Sequence, residues 1–458
     1  MINKKHLILI GLVIVLTGCV TPNLKKDIAL KIYLSGLLYE DEKDNLSAIK
    51  EFEQTIKKGG PDPYIYIKIG NLYLKENNYK KAKESFQKAY NLDRNLSEPY
   101  FGLGIVNLLE KKYTKAANYI EKGLNIAPDK SSFRLILSDI YTKLNNYQMA
   151  EKHYKILIEE YPENYLLKYN LAKVYEAHKK NKEAENLYLE ILKDRPNFWE
   201  GYLSLGILYQ KENKIEQAKE YIEKSLQINP LNKLAYSLLA VIYYNEKNDE
   251  KTKEILLKGI ERGLKEKEFY DFLGSIYMSE QNYEIAETYF VESIKIADSS
   301  DTRLKLGILY DKKGNFEKME ENLKKAIELN PENSVALNYL GYSYLLKDKN
   351  IKEAYEMIKK ACKKEPNNGA YLDSLGWAYY KMGDYKNAKK YLERAIELEK
   401  DPEIYEHLGY LYFQLKDFEK SLFYFLKAYD ETGKKELLDI IEKTKNMLKN
   451  ETSGRNKK

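Results

Sequence analysis

The sequence predicts an all-α protein built from tandem helix–turn–helix repeats, and three observations carry that expectation. Pro128, Pro162, Pro196 and Pro230 fall 34 residues apart, and Pro331 and Pro366 continue the pattern after small register changes. A small residue recurs at Gly36, Gly70, Gly104, Ser138, Ala172, Gly206, Ala240, Gly274, Gly307, Gly341, Gly376 and Gly409, spaced by 34 except for 33, 35 and 33 near the end. Tyr follows three residues later in eleven of these twelve places, with Asn107 the exception. A fixed period of this length marks an array of helix pairs that stack on one another.

Each fixed position has a physical reason. The small residue lets the first helix of a repeat approach its partner closely. The Tyr one turn later fills the adjacent space and leaves a hydroxyl free to find a partner. Twelve or thirteen residues after the small residue comes Ala in nine places, with Thr252, Met319 and Ser421 as departures; it opens the second helix on the same interface. Pro ends the second helix, since it lacks an amide and clashes with the preceding turn. Between the helices stand Asn77-Asn78-Tyr79, Asn145-Asn146-Tyr147, Gly314-Asn315-Phe316 and Gly383-Asp384-Tyr385. Gly and Asn tolerate left-handed backbone, and Asn or Asp caps the next helix. The pattern is weakest around 233–298, where Thr252 and Leu264 replace Ala and Pro and local flexibility is expected. Residues 434–449 form a further amphipathic helix, with Leu437, Ile440, Ile441, Thr444 and Leu448 on one face, which caps the array. The polar tail 450–458 is expected to be disordered.

These residues resemble the tetratricopeptide repeat (TPR) pattern. The stretch LDSLGWAYYKMGDYKNAKKYLERAIEL, from Leu372 to Leu398, matches it almost position for position, and the resemblance covers residues 29–433 as twelve repeats. It implies a right-handed α-α superhelical solenoid with a concave groove that binds other proteins. In this family the groove is lined from positions three before, one after and four after the small residue. A family subset holds acidic C-terminal peptides there with a Lys, Asn and Arg clamp. Here Asn71 and Lys173 stand isolated, so that clamp is not formed. The last three repeats place Asn338, Tyr342, Leu345, Asp373, Trp377, Tyr380, Glu406, Tyr410 and Phe413 at the groove positions. A solvent-facing aromatic run suits a peptide or helix, because Tyr and Trp anchors carry much interface energy. The same rings could instead pack against neighbouring helices.

Residues 1–19 read MINKKHLILIGLVIVLTGC. Lys4 and Lys5 precede a ten-residue apolar core, Leu7 to Leu16, that is shorter than the roughly 20 residues of a spanning helix and suits a secretory leader. Leu16-Thr17-Gly18-Cys19 resembles the lipobox of bacterial lipoproteins. That resemblance implies removal of residues 1–18 and acylation of Cys19, and more than one acyl chain gives stable anchoring. Residues 19–28 then form the lipidated Cys and a short linker. Val20 stands where enteric bacteria place an Asp to retain lipoproteins in the inner membrane, which favours the outer membrane, on its periplasmic face, in a cell with two membranes. Cys362 has no remaining partner once Cys19 is acylated, and its apolar helical position makes it a buried structural thiol.

Composition excludes several function classes. The 76 Lys and Arg nearly balance 70 Asp and Glu, which argues against the concentrated basic face of a nucleic-acid binder. His6, His153, His178 and His407 are scattered, with no second ligand at metal-binding spacing. There is no phosphate loop or nucleophile elbow, and the repeats leave no room for a catalytic domain. No cofactor, metal or small-molecule substrate is expected, and no enzyme. The expectation is a membrane-tethered interaction scaffold of the bacterial cell envelope, whose partners are peptide or helical segments of other proteins. It would assist assembly of a pilus, secretion, outer-membrane or wall complex. A self-associating or layer-spanning structural protein, and a docking regulator of a wall hydrolase, are the alternatives.

Overall fold

The computed structural model describes residues 24–455; the leader 1–18 and Cys19 lie outside the described residues. Among the described residues there are twenty-five helices and no strand. They fall into two compact bodies, one ending at Pro230 and one beginning at Leu231.

The first body holds six helix pairs: α1 (Leu24–Asp41) with α2 (Asn45–Gly59), α3 (Pro63–Lys75) with α4 (Tyr79–Leu92), α5 (Ser97–Leu109) with α6 (Tyr113–Ile126), α7 (Ser131–Lys143) with α8 (Tyr147–Glu160), α9 (Tyr165–Ala177) with α10 (Asn181–Asp194), and α11 (Trp199–Lys211) with α12 (Ile215–Ile228). The second holds six more: α13 (Lys233–Asn245) with α14 (Asp249–Glu261), α15 (Lys267–Ser279) with α16 (Tyr283–Ile296), α17 (Ser300–Lys312) with α18 (Phe316–Leu329), α19 (Ser334–Leu346) with α20 (Ile351–Lys364), α21 (Gly369–Lys381) with α22 (Tyr385–Leu398), and α23 (Pro402–Gln414) with α24 (Phe418–Thr432). A last helix, α25 (Leu437–Arg455), packs on α24 and buries Leu437, Ile441 and Thr444. Each body is a TPR-type solenoid.

The small residues sit where expected, at the crossing of the two helices of a pair. A Cβ added to Gly376 would lie 2.6 Å from Leu392 Cγ, and one added to Gly70 would lie 2.7 Å from the Phe86 ring. The Ala positions opposite are fully enclosed, and so are the departures Thr252, Met319 and Ser421.

The recurrent Tyr has a partner that the sequence pattern did not name. In several repeats its hydroxyl donates to a Glu on the second helix of the preceding repeat: Tyr175 to Glu151 at 3.1 Å, Tyr209 to Glu185 at 2.8 Å, Tyr310 to Glu287 at 2.6 Å, Tyr344 to Glu320 at 2.7 Å and Tyr412 to Glu393 at 2.6 Å, while Tyr379 meets the Tyr355 hydroxyl at 3.1 Å. Tyr73 with Glu53 and Tyr141 with Glu121 repeat the arrangement. Where Asn107 replaces Tyr, its amide turns back to the Leu103 carbonyl at 2.7 Å. Tyr39 departs from the expected burial: among the described residues no helix precedes α1 for it to pack on, and the ring stays exposed.

Turns and caps follow the expected chemistry with one extension. Asn78, Asn146, Asn315 and Asp384 cap their helices through side-chain oxygens. The left-handed turn position is held by Gly314 and Gly383, but also by Lys43, Lys111, Lys179, Lys247 and Lys416, with φ between 58° and 62° in those five lysines. Around 233–298, Gly263 and Leu264 end α14 in place of Pro, the Leu264 amide bonding the Gly259 carbonyl at 3.1 Å.

The ends differ from the sequence expectation. The first helix begins at Leu24 rather than 29, because no helix-breaking residue follows Pro22. The capping helix runs Leu437–Arg455 rather than 434–449, so most of the expected disordered tail is helical; no Pro or Gly intervenes before Gly454. Cys362 is buried, its thiol donates to the Tyr371 carbonyl at 3.1 Å, and burial pushes its pKa up to about 12.

Candidate binding site

The first helices α19, α21 and α23 pack side by side, and their shared surface carries most of the residues singled out by position. Trp377 is its centre. Its indole is stacked on Tyr380 from its own helix, 4.5 Å between centroids and 5° from parallel, and on His407 of α23 at 4.1 Å and 15°. Tyr410 leans against it at 6.1 Å. Trp377 is only 8% exposed, so of the two readings the sequence left open it follows the packed one and is an organising ring.

His407 is held at both nitrogens. Its Nδ1 lies 2.9 Å from each carboxylate oxygen of Asp373, and its Nε2 lies 3.3 Å from the Tyr342 hydroxyl. That hydroxyl donates to Glu403 Oε1 at 2.6 Å. Three helices are thereby joined by one polar chain. Burial opposes charge on the imidazole, but the Asp373 carboxylate beside it, with Glu403 and Glu406 farther off, holds its pKa above the ordinary value. Burial, reinforced by Glu403, pushes the Tyr342 phenol well above its usual range.

The remaining residues divide by depth. Glu406 pairs with Lys434 at 3.0 Å. Tyr342, Tyr380, Tyr410 and Phe413 are half-buried, with Tyr410 edge-on to Phe425 at 5.0 Å and Phe413 edge-on to Phe418 at 5.6 Å. Asp373 is buried under His407. Leu345 is a correction: it is fully enclosed, because its side chain packs into the hydrophobic core of these repeats instead of opening onto the shared surface. Two buried polar atoms of this cluster, Trp377 Nε1 and Asn338 Oδ1, have no hydrogen-bond partner among the described residues.

Position counting missed His407, Glu403 and Lys434. His407 stands 34 residues after Asp373, one repeat on, and that juxtaposition of an acid and an imidazole was the available signal. Among the described residues no group of three or more His, Cys, Asp or Glu side chains is placed to hold a metal ion.

Tetratricopeptide repeat models match residues 63–96, 137–197, 200–230, 268–299, 300–333, 322–356 and 374–435, together more than half of the chain. The chain belongs to the tetratricopeptide repeat family. A curated relative, the TPR repeat-containing protein PA4667 of Pseudomonas aeruginosa, is 26% identical over 102 residues, which is 22% of this chain and 17% of the relative; the chain thus matches well under two thirds of that protein. Among solved structures, the APC/C hetero-tetramer Cut9–Hcn1 is similar at 13% identity and a TM-score of 0.43, over 92% of this chain and 96% of that one. YrrB, described as a TPR protein with an unusual peptide-binding site, is similar at 21% identity and a TM-score of 0.38, over 41% of this chain and 96% of that one. The matched TPR models describe an interaction repeat, and none of them is an enzyme family.

Proposed function

We propose that this TPR protein is a non-catalytic scaffold of the bacterial cell envelope. It is tethered by acyl chains on Cys19, at the periplasmic face of the outer membrane where the cell has two membranes. It binds segments of partner proteins on the surface shared by α19, α21 and α23 and thereby assists assembly of an envelope complex. The observation that carries the binding reading is the set of partly exposed rings, Tyr342, Tyr380, Tyr410 and Phe413, gathered on the surface shared by three helices. Such rings give a partner segment apolar contact and carry much interface energy.

The test is site-specific photocrosslinking in intact cells. A photoreactive residue at Tyr410 or Phe413 is expected to trap a discrete partner, and one at Lys390 on the outer face of α22 is not. The Tyr410 crosslink should vanish when Glu403→Lys and Asn338→Arg are combined. Equal labelling from Tyr410 and Lys390, or a crosslink indifferent to that double change, would remove this surface from consideration.

A further inference from the structure

The α1 end of the first body carries a second surface. The α1–α2 pair is antiparallel: Gly36 sits against Phe52, and a Cβ on Gly59 would lie 3.0 Å from Ala29 Cβ. The first turn of α1 therefore lies beside the last turn of α2. This brings Lys25 and Lys26 together with Lys57 and Lys58, all four exposed and none in a salt bridge among the described residues. Asp27 is the one acid in the first turn of α1, and the Asp62 carboxylate is occupied by the amides of Tyr64 and Ile65. The opposite end of the same pair carries Asp41, Glu42 and Asp44 around Lys43. Charge is thus separated along the pair, with the basic end where the chain enters from Cys19.

Among the described residues no helix precedes α1. Ile28, 39% exposed, and Leu30, 42% exposed, flank the buried Ala29 on either side of α1 near the lysines. From Cys19 to Leu24 there are five peptide steps, which reach at most about 18 Å when extended. An acylated Cys19 would hold the start of α1 at Leu24 within that distance of the lipid headgroups, with Lys25 and Lys26 next in the chain. Basic residues close to an anionic leaflet are attracted to it, and apolar side chains beside them enter the headgroup boundary.

We infer that the end of the solenoid formed by α1 and α2 is a docking surface for anionic phospholipid headgroups. Lys25, Lys26, Lys57 and Lys58 supply the charge, and Ile28 and Leu30 the apolar contact. The surface would fix how the first repeats stand on the membrane, where an acyl tether alone leaves them free to swivel. This rests on the lipid-anchored reading of Cys19, and the experiment is chosen to separate the two.

The chain from residue 20 onward holds every described helix and has no acyl group. It is sedimented with vesicles of phosphatidylglycerol and phosphatidylethanolamine and with vesicles of phosphatidylcholine alone. Binding to the anionic vesicles only, weakening as salt rises, is expected. Changing Lys25, Lys26, Lys57 and Lys58 to Glu should cut it by about tenfold or more, with the helical signal and melting curve unchanged. The matched set Lys352, Lys363, Lys386 and Lys390 to Glu should leave it intact. No binding of the wild-type chain to anionic vesicles, or equal loss from the matched set, overturns the inference. Palmitate incorporation by the full chain in cells reports on Cys19 separately, so an acylated protein whose unacylated form ignores vesicles sinks this surface and spares the anchor.

Discussion

Trp377 lies flat against His407, with ring centroids 4.1 Å apart and planes 15° from parallel. The contact joins α21 to α23 across two consecutive repeats, and the imidazole is held at both nitrogens. Asp373, one helical turn before Trp377, grips the far side of the same imidazole at 2.9 Å. The indole is therefore positioned by a group that its own helix holds in place. A protonated imidazole over an aromatic face gains a cation–π term that a neutral one lacks, so the charge on His407 and the shape of the candidate site are linked.

That linkage predicts a pH dependence. The folded pKa of His407 is raised above its ordinary value of 6.5 because, although burial opposes charge, the Asp373 carboxylate favours it. Its contribution to stability is then full below the unfolded value and is lost as pH rises through the higher folded value. In a chain with Trp199→Phe, emission from Trp377 should be constant in mild acid and shift as the solution is made alkaline through that raised value. Asp373→Asn should abolish the shift and lower stability by about 3–5 kcal/mol in mild acid, the usual cost of stripping one partner from a buried pair. A flat emission profile in the parent chain would show that the pair does not titrate there.

The Gly376 position predicts an overpacking penalty. Any side chain there meets Leu392 Cγ at 2.6 Å and the Leu392 amide nitrogen at 3.1 Å, and the second of these is backbone that cannot rotate away. Gly376→Leu should destabilise by about 1–3 kcal/mol or more in chemical denaturation. An unchanged midpoint would mean that the helix pair crosses elsewhere.

Much of this fold was legible because one repeat rule is written twelve times. The Gly376–Leu392 crossing, the Tyr344 burial and the Asn315 cap all follow from spacing and side-chain size. The Tyr–Glu bonds were not legible, since Glu is abundant on every second helix and its distance from the Tyr varies by one turn, as between Glu121 with Tyr141 and Glu151 with Tyr175. The candidate site was half legible. Position counting found Trp377, Tyr380 and Tyr410, but depth within a groove depends on neighbours that a single helix does not reveal. Leu345 went to the core for that reason, and His407 joined the site because Asp373 of the adjacent repeat faces it.

The Tyr344–Glu320 bond predicts an acid-labile contribution. Burial pushes the Glu320 carboxyl up, but hydrogen bonds from Lys324, Tyr344 and Lys349 outweigh it and bring its pKa down to about 2. A depressed carboxylate stabilises the fold above its ordinary value near 4.5, and that contribution fades as pH falls from there towards 2. A double-mutant cycle of Tyr344→Phe and Glu320→Gln near neutral pH should give a coupling of about 1.5–3 kcal/mol, typical of a hydrogen bond to a charged group. The coupling should shrink on acidification through that interval. A cycle that closes to zero at neutral pH would show that the Lys324 and Lys349 contacts, and not the Tyr, hold the carboxylate.

The lipid-anchored reading makes the simplest cellular prediction. On this reading the acylated thiol is that of Cys19 in the Leu16-Thr17-Gly18-Cys19 stretch, since the other cysteine, Cys362, is buried with its thiol bonded to the Tyr371 carbonyl. Replacing Cys19 by Ala should abolish labelling by a clickable palmitate analogue and block removal of residues 1–18, leaving a heavier precursor on a denaturing gel. Replacing Cys362 by Ala should alter neither. The apolar core Leu7 to Leu16 remains on an unprocessed Cys19→Ala chain and can itself hold to membranes, so labelling and size are the informative readouts and membrane fractionation alone is not. Palmitate incorporated by the Cys19→Ala chain, or a mature-sized product from it, would overturn the anchor and move the protein's tether elsewhere.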